Sequence, residues 1–168
     1  IQVEIFRVPD KVRYFYFVNA PEFRLDDEKY FILDQARRQL AEHKPTETEF
    51  TQPERVREIF TNIGKDMILQ LAGSRKFTAK EIKEMTDILV RYTTGFGVLE
   101  ILLNDDKLQD IYINSPIGTT PIYVHHDDYE ECETNLIPTR EDAESWATRF
   151  RLFSGRPLDE ANPVLDTE

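Results

Sequence analysis

The sequence predicts an α+β protein: an N-terminal β-hairpin plus three-helix domain, followed by a small α/β domain. Three observations lead there. Two strand-like runs flank Pro9-Asp10 at the start of the chain, and three stretches with helical periodicity follow. Short alternating strands and one last helix complete it. The third observation is a step in charge. Residues 1–94 carry 16 Lys and Arg against 16 Asp and Glu, whereas residues 95–168 carry 5 against 16, the whole of the net −11. A shift of that size places a domain boundary near Thr94-Gly95, between a domain of residues 1–94 and one of residues 95–168.

The elements follow in order. IQVEIFRV and KVRYFYFV are rich in β-branched and aromatic residues around a turn pair, which reads as a hairpin. Tyr14, Phe15, Tyr16 and Phe17 load both faces of the second strand, so cover is expected on both sides. An amphipathic helix is expected over roughly Asp26 to His43, with Phe31, Leu33, Ala36 and Leu40 inward and His43 capping its end. Pro53 suits the first position of the next helix, where its missing N–H costs nothing. Val56, Ile59, Phe60, Ile63 and Met67 form its stripe, and Gly73 is its stop. Thr78 with Glu81 three residues on is a capping-box pattern. It opens a helix whose stripe is Ile82, Met85, Leu89 and Tyr92, ended by Gly95.

In the second half, GFGVLEILLNDD reads as a short helix. DIYIN and PIYVHH read as two strands joined by the turn SPIGTTP, with YEECET as a third strand. Thr139 caps the last helix, and Glu141 and Asp142 lie in its first turn where the helix dipole favours anions. Ala143, Trp146, Phe150 and Phe153 bury one stripe, and Gly155 then Pro157 stop it.

Composition excludes several classes. One cysteine, Cys132, rules out a disulfide framework and fits a reducing compartment. No apolar run approaches the ~20 residues of a membrane span. No signal peptide is evident, and a first residue of Ile1 suggests a piece of something longer. A net charge of −11 argues against nucleic acid as a partner, because phosphate demands a basic surface.

Some motifs fail on inspection. GFGVLE lacks the third glycine of a dinucleotide fingerprint, with Glu100 in its place and no βαβ unit around it. Gly64-Lys65 is followed by Asp66 rather than Ser or Thr, so it is no P-loop. His125-His126-Asp127-Asp128 has metal-ligand residue types. Neighbours on a strand point to opposite faces, however, so no metal site is expected, only a solvated strand end and turn. Cys132 has no arranged base and reads as a half-buried structural thiol. The acid runs Asp26-Asp27-Glu28, Asp105-Asp106 and Glu130-Glu131 read as solvated faces or helix starts, not catalytic pairs.

Arg149, Arg151 and Arg156 are different. They cluster within RFRLFSGRPLDE, the most acidic part of the chain. On a helix whose buried direction is set by Trp146, Phe150 and Phe153, Arg149 lies on one flank and Arg151 on the other. Arg156 lies past the stop in a tight SGRP turn. Arginines in a last turn can complement the dipole or pair with Asp142, Asp159 or Glu160. Arginine rather than lysine at all three positions suggests bidentate recognition of carboxylate or phosphate.

GFGVLEILLNDDKLQDIYIN, YVHHDDYEECETNL and above all RFRLFSGRPLDEANPVLD resemble the N-terminal region of the secretion ATPases, the motors of type II and type IV secretion, type IV pili and archaella. The form RPLDEANPVLD is most like the archaeal branch. The likeness covers residues 95–168, with one departure at Asn114-Ser115-Pro116, where many members carry N-G-P. It implies a PAS-like second domain, a RecA-like core beyond Glu168 that holds ATP and Mg, and assembly as a homohexamer. It implies phosphate-contacting roles for Arg149 and Arg156 first, with Arg151 also a candidate. This fragment alone would then bind no nucleotide and be inactive. The expected setting is cytoplasmic, peripherally associated with the membrane, with an inner-membrane platform protein as partner and residues 1–94 as an adaptor surface. The alternative is a stand-alone adaptor module that docks a membrane or effector partner, its arginines purely structural.

Overall fold

The computed structural model of the protein describes residues 2–42 and 53–155. Its elements run β1 (Gln2–Arg7), β2 (Tyr14–Asn19), a 3-10 turn at Pro21–Arg24, α1 (Asp27–Glu42), α2 (Pro53–Ala72), α3 (Ala79–Thr94), α4 (Leu99–Leu103), β3 (Leu108–Tyr112), β4 (Tyr123–His126), β5 (Glu130–Thr134) and α5 (Arg140–Ser154). The α+β class holds, and each expected strand and helix among the described residues is present.

The grouping of the elements differs from the expected one. The hairpin does not belong with the three helices. It completes one five-stranded sheet of order β1-β2-β5-β4-β3, in which β2 runs parallel to β5 and every other pair is antiparallel. The compact units therefore divide after Asn19 and after Glu100, with Ala20–Glu100 as one unit and the sheet in the other. The charge step at 94/95 lies close to the second of these divisions. The first carries no composition signal, because the helices are an insertion between two strands of one sheet. A parallel pair needs a long crossover, and here α1–α3 supply most of it, followed by α4, β3 and β4.

In the sheet unit, alternation sorts the residues. Tyr16, Val18, Val124, His126, Cys132 and Thr134 are buried on one face. Phe15 and Phe17, expected to be covered like Tyr16, are only half-buried on the other. Where the β2–β5 ladder ends at Tyr16↔Thr134, Asn135 continues it with its side chain. The Val18 N–H donates to Asn135 Oδ1 at 2.8 Å, and Asn135 Nδ2 donates to the Val18 carbonyl at 3.0 Å. The Tyr16 hydroxyl donates to Asp105 Oδ2 at 2.5 Å. Burial, then that carboxylate, push the Tyr16 pKa far up. Asp105, read as solvated, is thus a partner for a buried phenol.

In the helical unit, Ile32, Leu33, Ala36 and Leu40 of α1 meet Phe60 and Ile68 of α2 and Ile82, Met85, Ile88 and Leu89 of α3. Phe31, expected inward, is 59% exposed, and Ile32 takes its place. The apolar run FIL lets either phase satisfy the period, and packing against α2 and α3 decides it. His43 lies outside the described residues. Asp26 starts α1 by accepting from the Lys29 N–H at 2.8 Å. Arg91 of α3 donates through Nη2 to both oxygens of Glu22, at 2.7 and 2.6 Å, a buried pair that ties the 3-10 turn to α3. Gly95 ends α3 at φ −110°, which any residue could adopt. The glycine is required by space, because a Cβ there would meet the Glu100 carboxylate and the Arg91 carbonyl.

The Thr78–Glu81 capping box forms as read, with the Glu81 N–H donating to Thr78 Oγ1 and the Thr78 N–H to Glu81 Oε2. Lys29 adds an ion pair at 2.8 Å. Lys29 first, then the Thr78 donors, hold the Glu81 pKa down at about 2 from an ordinary 4.5. A depressed carboxylate stabilises the fold above its unfolded pKa and loses that contribution as pH falls toward the folded one. Urea denaturation from pH 5 to pH 2 is expected to show Glu81→Gln with a shallower decline than the parent chain. Replacing Asn135 by Ala leaves the buried N–H and carbonyl of Val18 without partners. A loss of about 2–4 kcal/mol is expected in the same assay at neutral pH, from the cost of two buried backbone groups left unsatisfied.

Candidate functional site

Two regions carry candidate functional side chains. The first is the C-terminal end of α5. Thr139 Oγ1 accepts from the Asp142 N–H at 3.1 Å, and Asp142 Oδ2 accepts from the Thr139 N–H at 2.9 Å, so the expected hydroxyl cap is a full capping box. Gly155 closes the helix in the left-handed region at φ 64°, its N–H on the Arg151 carbonyl at 3.0 Å. An L side chain there would be strained, so the glycine sets the direction in which the chain leaves the helix.

Trp146 is buried, and Phe150 is half-buried. The two arginines on their flanks differ as the helical wheel requires. Arg149 is half-buried with its Nε enclosed. Arg151 is exposed and donates through Nη2 to Thr148 Oγ1 at 3.1 Å. Among the described residues no carboxylate is paired with Arg151. Arg156 and the side chain of Phe153 lie outside the described residues. The helix thus brings Arg149 and Arg151 to its last two turns, with guanidinium donors suited to phosphate or carboxylate oxygens.

The second region is the outer face of the sheet, which sequence reasoning missed. Register aligns a row across all five strands: Phe6, Phe15, Glu133, Tyr123 and Tyr112. Beside it runs a charged row in which Glu131 faces His125 and His125 faces Asp110. A shift of register between Leu108 and Asp110 turns Asp110 and Tyr112 to this face. Arg13, from the β1–β2 loop, lies over the Tyr123 ring at 5.3 Å and bonds Glu131 at 3.0 Å. Next to this, an open groove of about 700 Å³ is lined by Tyr112, Asn114, His125, Asp127, Glu130 and Glu131. The Tyr112 hydroxyl has its pKa pushed up, by desolvation first and then by the charges of Asp110 and Glu131. The signal was present in the sequence as carboxylates and aromatics alternating with apolar residues. Strand order and register were needed to place them side by side.

His125 and His126 point to opposite faces, as the alternation of a strand requires. His126 is not solvated, however. It is 3% exposed, its ring lies against Tyr16 and Tyr129, and its Nδ1 accepts from the Asp128 N–H at 3.0 Å. Among the described residues no group of three or more His, Cys, Asp or Glu is placed to hold a metal ion. Cys132 is fully rather than half buried. Burial, then Glu131, push its pKa up, which keeps it a thiol. No helix among the described residues is long and apolar enough to cross a membrane.

No protein-family model matches the chain. The uncharacterized protein MJ1288 of Methanocaldococcus jannaschii is 30% identical over 105 residues, which are 61% of this chain and 41% of that protein. The uncharacterized protein MJ0781 of the same organism is 33% identical over 70 residues, 42% of this chain and 9% of that protein. The chain therefore spans less than half the length of either archaeal relative, and is similar to a part of each.

Proposed function

We propose that this chain is the N-terminal module of a hexameric ATPase that drives secretion or pilus assembly, cytoplasmic and peripherally associated with the membrane. The observation that carries the reading is the end of α5. There Arg149 and Arg151 occupy the last two turns, and Gly155 ends the helix in the left-handed region, within the sequence RFRLFSGRPLDEANPVLD that also carries Arg156. In this reading ATP and Mg belong to a RecA-like core, and the donor chemistry of the arginines fits the phosphate end of the nucleotide. Nothing among the described residues is arranged to hold the metal, so the core and the phosphates would hold it. Bound nucleotide supplies the scissile phosphoanhydride.

The work of this chain is positional. Arg149, enclosed along its stem, keeps one guanidinium ordered, so less side-chain entropy is lost when it meets an anion. With nucleotide bound, Arg149 and Arg156 would donate N–H groups to phosphate oxygens and offset the charge there. Contacts made only in the closed arrangement favour closure, and this couples nucleotide occupancy to movement of the module against the inner-membrane platform protein. The similarity of the chain to only a part of two longer archaeal proteins is in keeping with a module.

The second reading, an adaptor that docks a partner, draws on the open aromatic and acidic sheet face, which no arginine of α5 is needed to explain. ATP turnover separates the two. In a protein carrying this module and its core, Arg149→Ala and Arg156→Ala are each expected to lower turnover by about 10³-fold or more while nucleotide binding changes little, in line with charge-stabilising arginines elsewhere. Full turnover in both variants together with a lowered melting temperature would make the turn a structural corner and favour the adaptor.

A further inference from the structure

The outer face of the sheet already holds one guanidinium. Arg13 is sandwiched between the Tyr123 ring, 5.3 Å from its centroid, and Glu131, 3.0 Å away. The adjoining groove has a ring and a carboxylate of its own. Tyr112 lies directly across from Tyr123, and Glu130 follows the turn whose other arm carries Asp127. There the ring is 41% exposed. Among the described residues no Lys or Arg lines the groove, and the side chains of Glu130 and His125 have no hydrogen-bond or ion-pair partner. Asp127 and Glu131 are already engaged, with Gln109 Nε2 at 2.6 Å and with Arg13. The groove thus presents an aromatic ring and an unpaired carboxylate with no cation among the described residues to fill it.

We infer that this groove is a docking site for an arginine-bearing basic segment of a partner protein, whose guanidinium stacks on Tyr112 and pairs with Glu130. Charge complementarity decides the class of occupant. The groove is lined by Asp127, Glu130 and Glu131 and, among the described residues, by no Lys or Arg, so this face repels phosphate, anionic membrane surfaces and acidic chains. The same repulsion disfavours a second copy of this face. Arginine is preferred to lysine because its flat, weakly hydrated guanidinium can lie on a ring while its edge donates to a carboxylate. One such contact is weak at an exposed site, so useful affinity requires several arginines engaging the charged row together. The inference is independent of nucleotide and of the α5 arginines.

The test is fluorescence anisotropy of the 168-residue chain with a labelled peptide of six arginines alternating with glycine, beside its lysine counterpart. The arginine peptide is expected to bind at least about threefold more tightly than the lysine peptide, from stacking on the ring. Tyr112→Ala should weaken the arginine peptide by about fivefold and narrow its advantage over lysine, and Glu130→Gln should weaken both peptides by about threefold. Both side chains are exposed, so the folded state should survive, as circular dichroism melting will confirm. Glu84→Gln, an equal loss of charge on the exposed side of α3, is the control and should change nothing. Equal affinity for the two peptides, unchanged binding in Tyr112→Ala, or an equal loss in Glu84→Gln would overturn the site and leave only a general acidic field. A dimer in sedimentation that Tyr112→Ala dissolves would also overturn it, by assigning the face to a second copy.

Discussion

The parallel pairing of β2 with β5 is the constraint on which the sheet unit depends. Tyr14, Phe15 and Tyr16 meet Cys132, Glu133 and Thr134 across a gap of more than a hundred residues. A hairpin alone is marginal in water, because two strands bury too little apolar surface. This pairing gives β1 and β2 three further strands and a shared buried face. Its cost is the closure of a very long loop, which grows only slowly with length and is moderated because the loop is itself folded, as three helices, α4 and the β3–β4 pair. The short ladder is extended by Asn135, whose amide supplies one acceptor and one donor to Val18 in place of a backbone neighbour. A side chain can substitute for a strand at this point because an amide carries both groups in nearly the geometry of a peptide.

The pairing also organises the chemistry of the two faces. Once β2 lies beside β5, alternation sends Tyr16, Cys132, Val124 and His126 inward, where the polar members need partners. Tyr16 finds Asp105, and His126 accepts a backbone N–H. The same alternation sends Phe15, Glu133, Tyr123 and Tyr112 outward as a single row. A buried polar group without a partner costs a few kcal/mol, so the inner face is tightly specified. The outer face is under no such demand, and its composition is available for recognition.

Legibility followed the range of the interaction. The Thr78–Glu81 and Thr139 caps were readable because a cap involves residues three apart. Helix stops at Gly73, Gly95 and Gly155 were readable for the same reason, although Gly95 serves by leaving room for Glu100 and not by a left-handed turn. Phe31 was misplaced because FIL satisfies the helical period in either phase, and only the positions of α2 and α3 choose Ile32. The arginines of α5 were legible as a cluster on two flanks. The aromatic and acidic groove was not, because its six residues come from three strands, a turn and a loop that sequence alone does not place together.

The sequence by itself determined the α+β class, the strand and helix content, the caps of α3 and α5 and the opposite facing of His125 and His126. Each of these rests on local propensity and on the periods of 2 and 3.6 residues, which are properties of neighbouring positions. Only the tertiary structure decided that the N-terminal hairpin belongs to the C-terminal sheet, that the three helices are an insertion, and that Arg13, Tyr123 and Glu131 meet. Those outcomes depend on strand order and register, and hydrogen bonds between distant backbones leave no periodic trace in either partner.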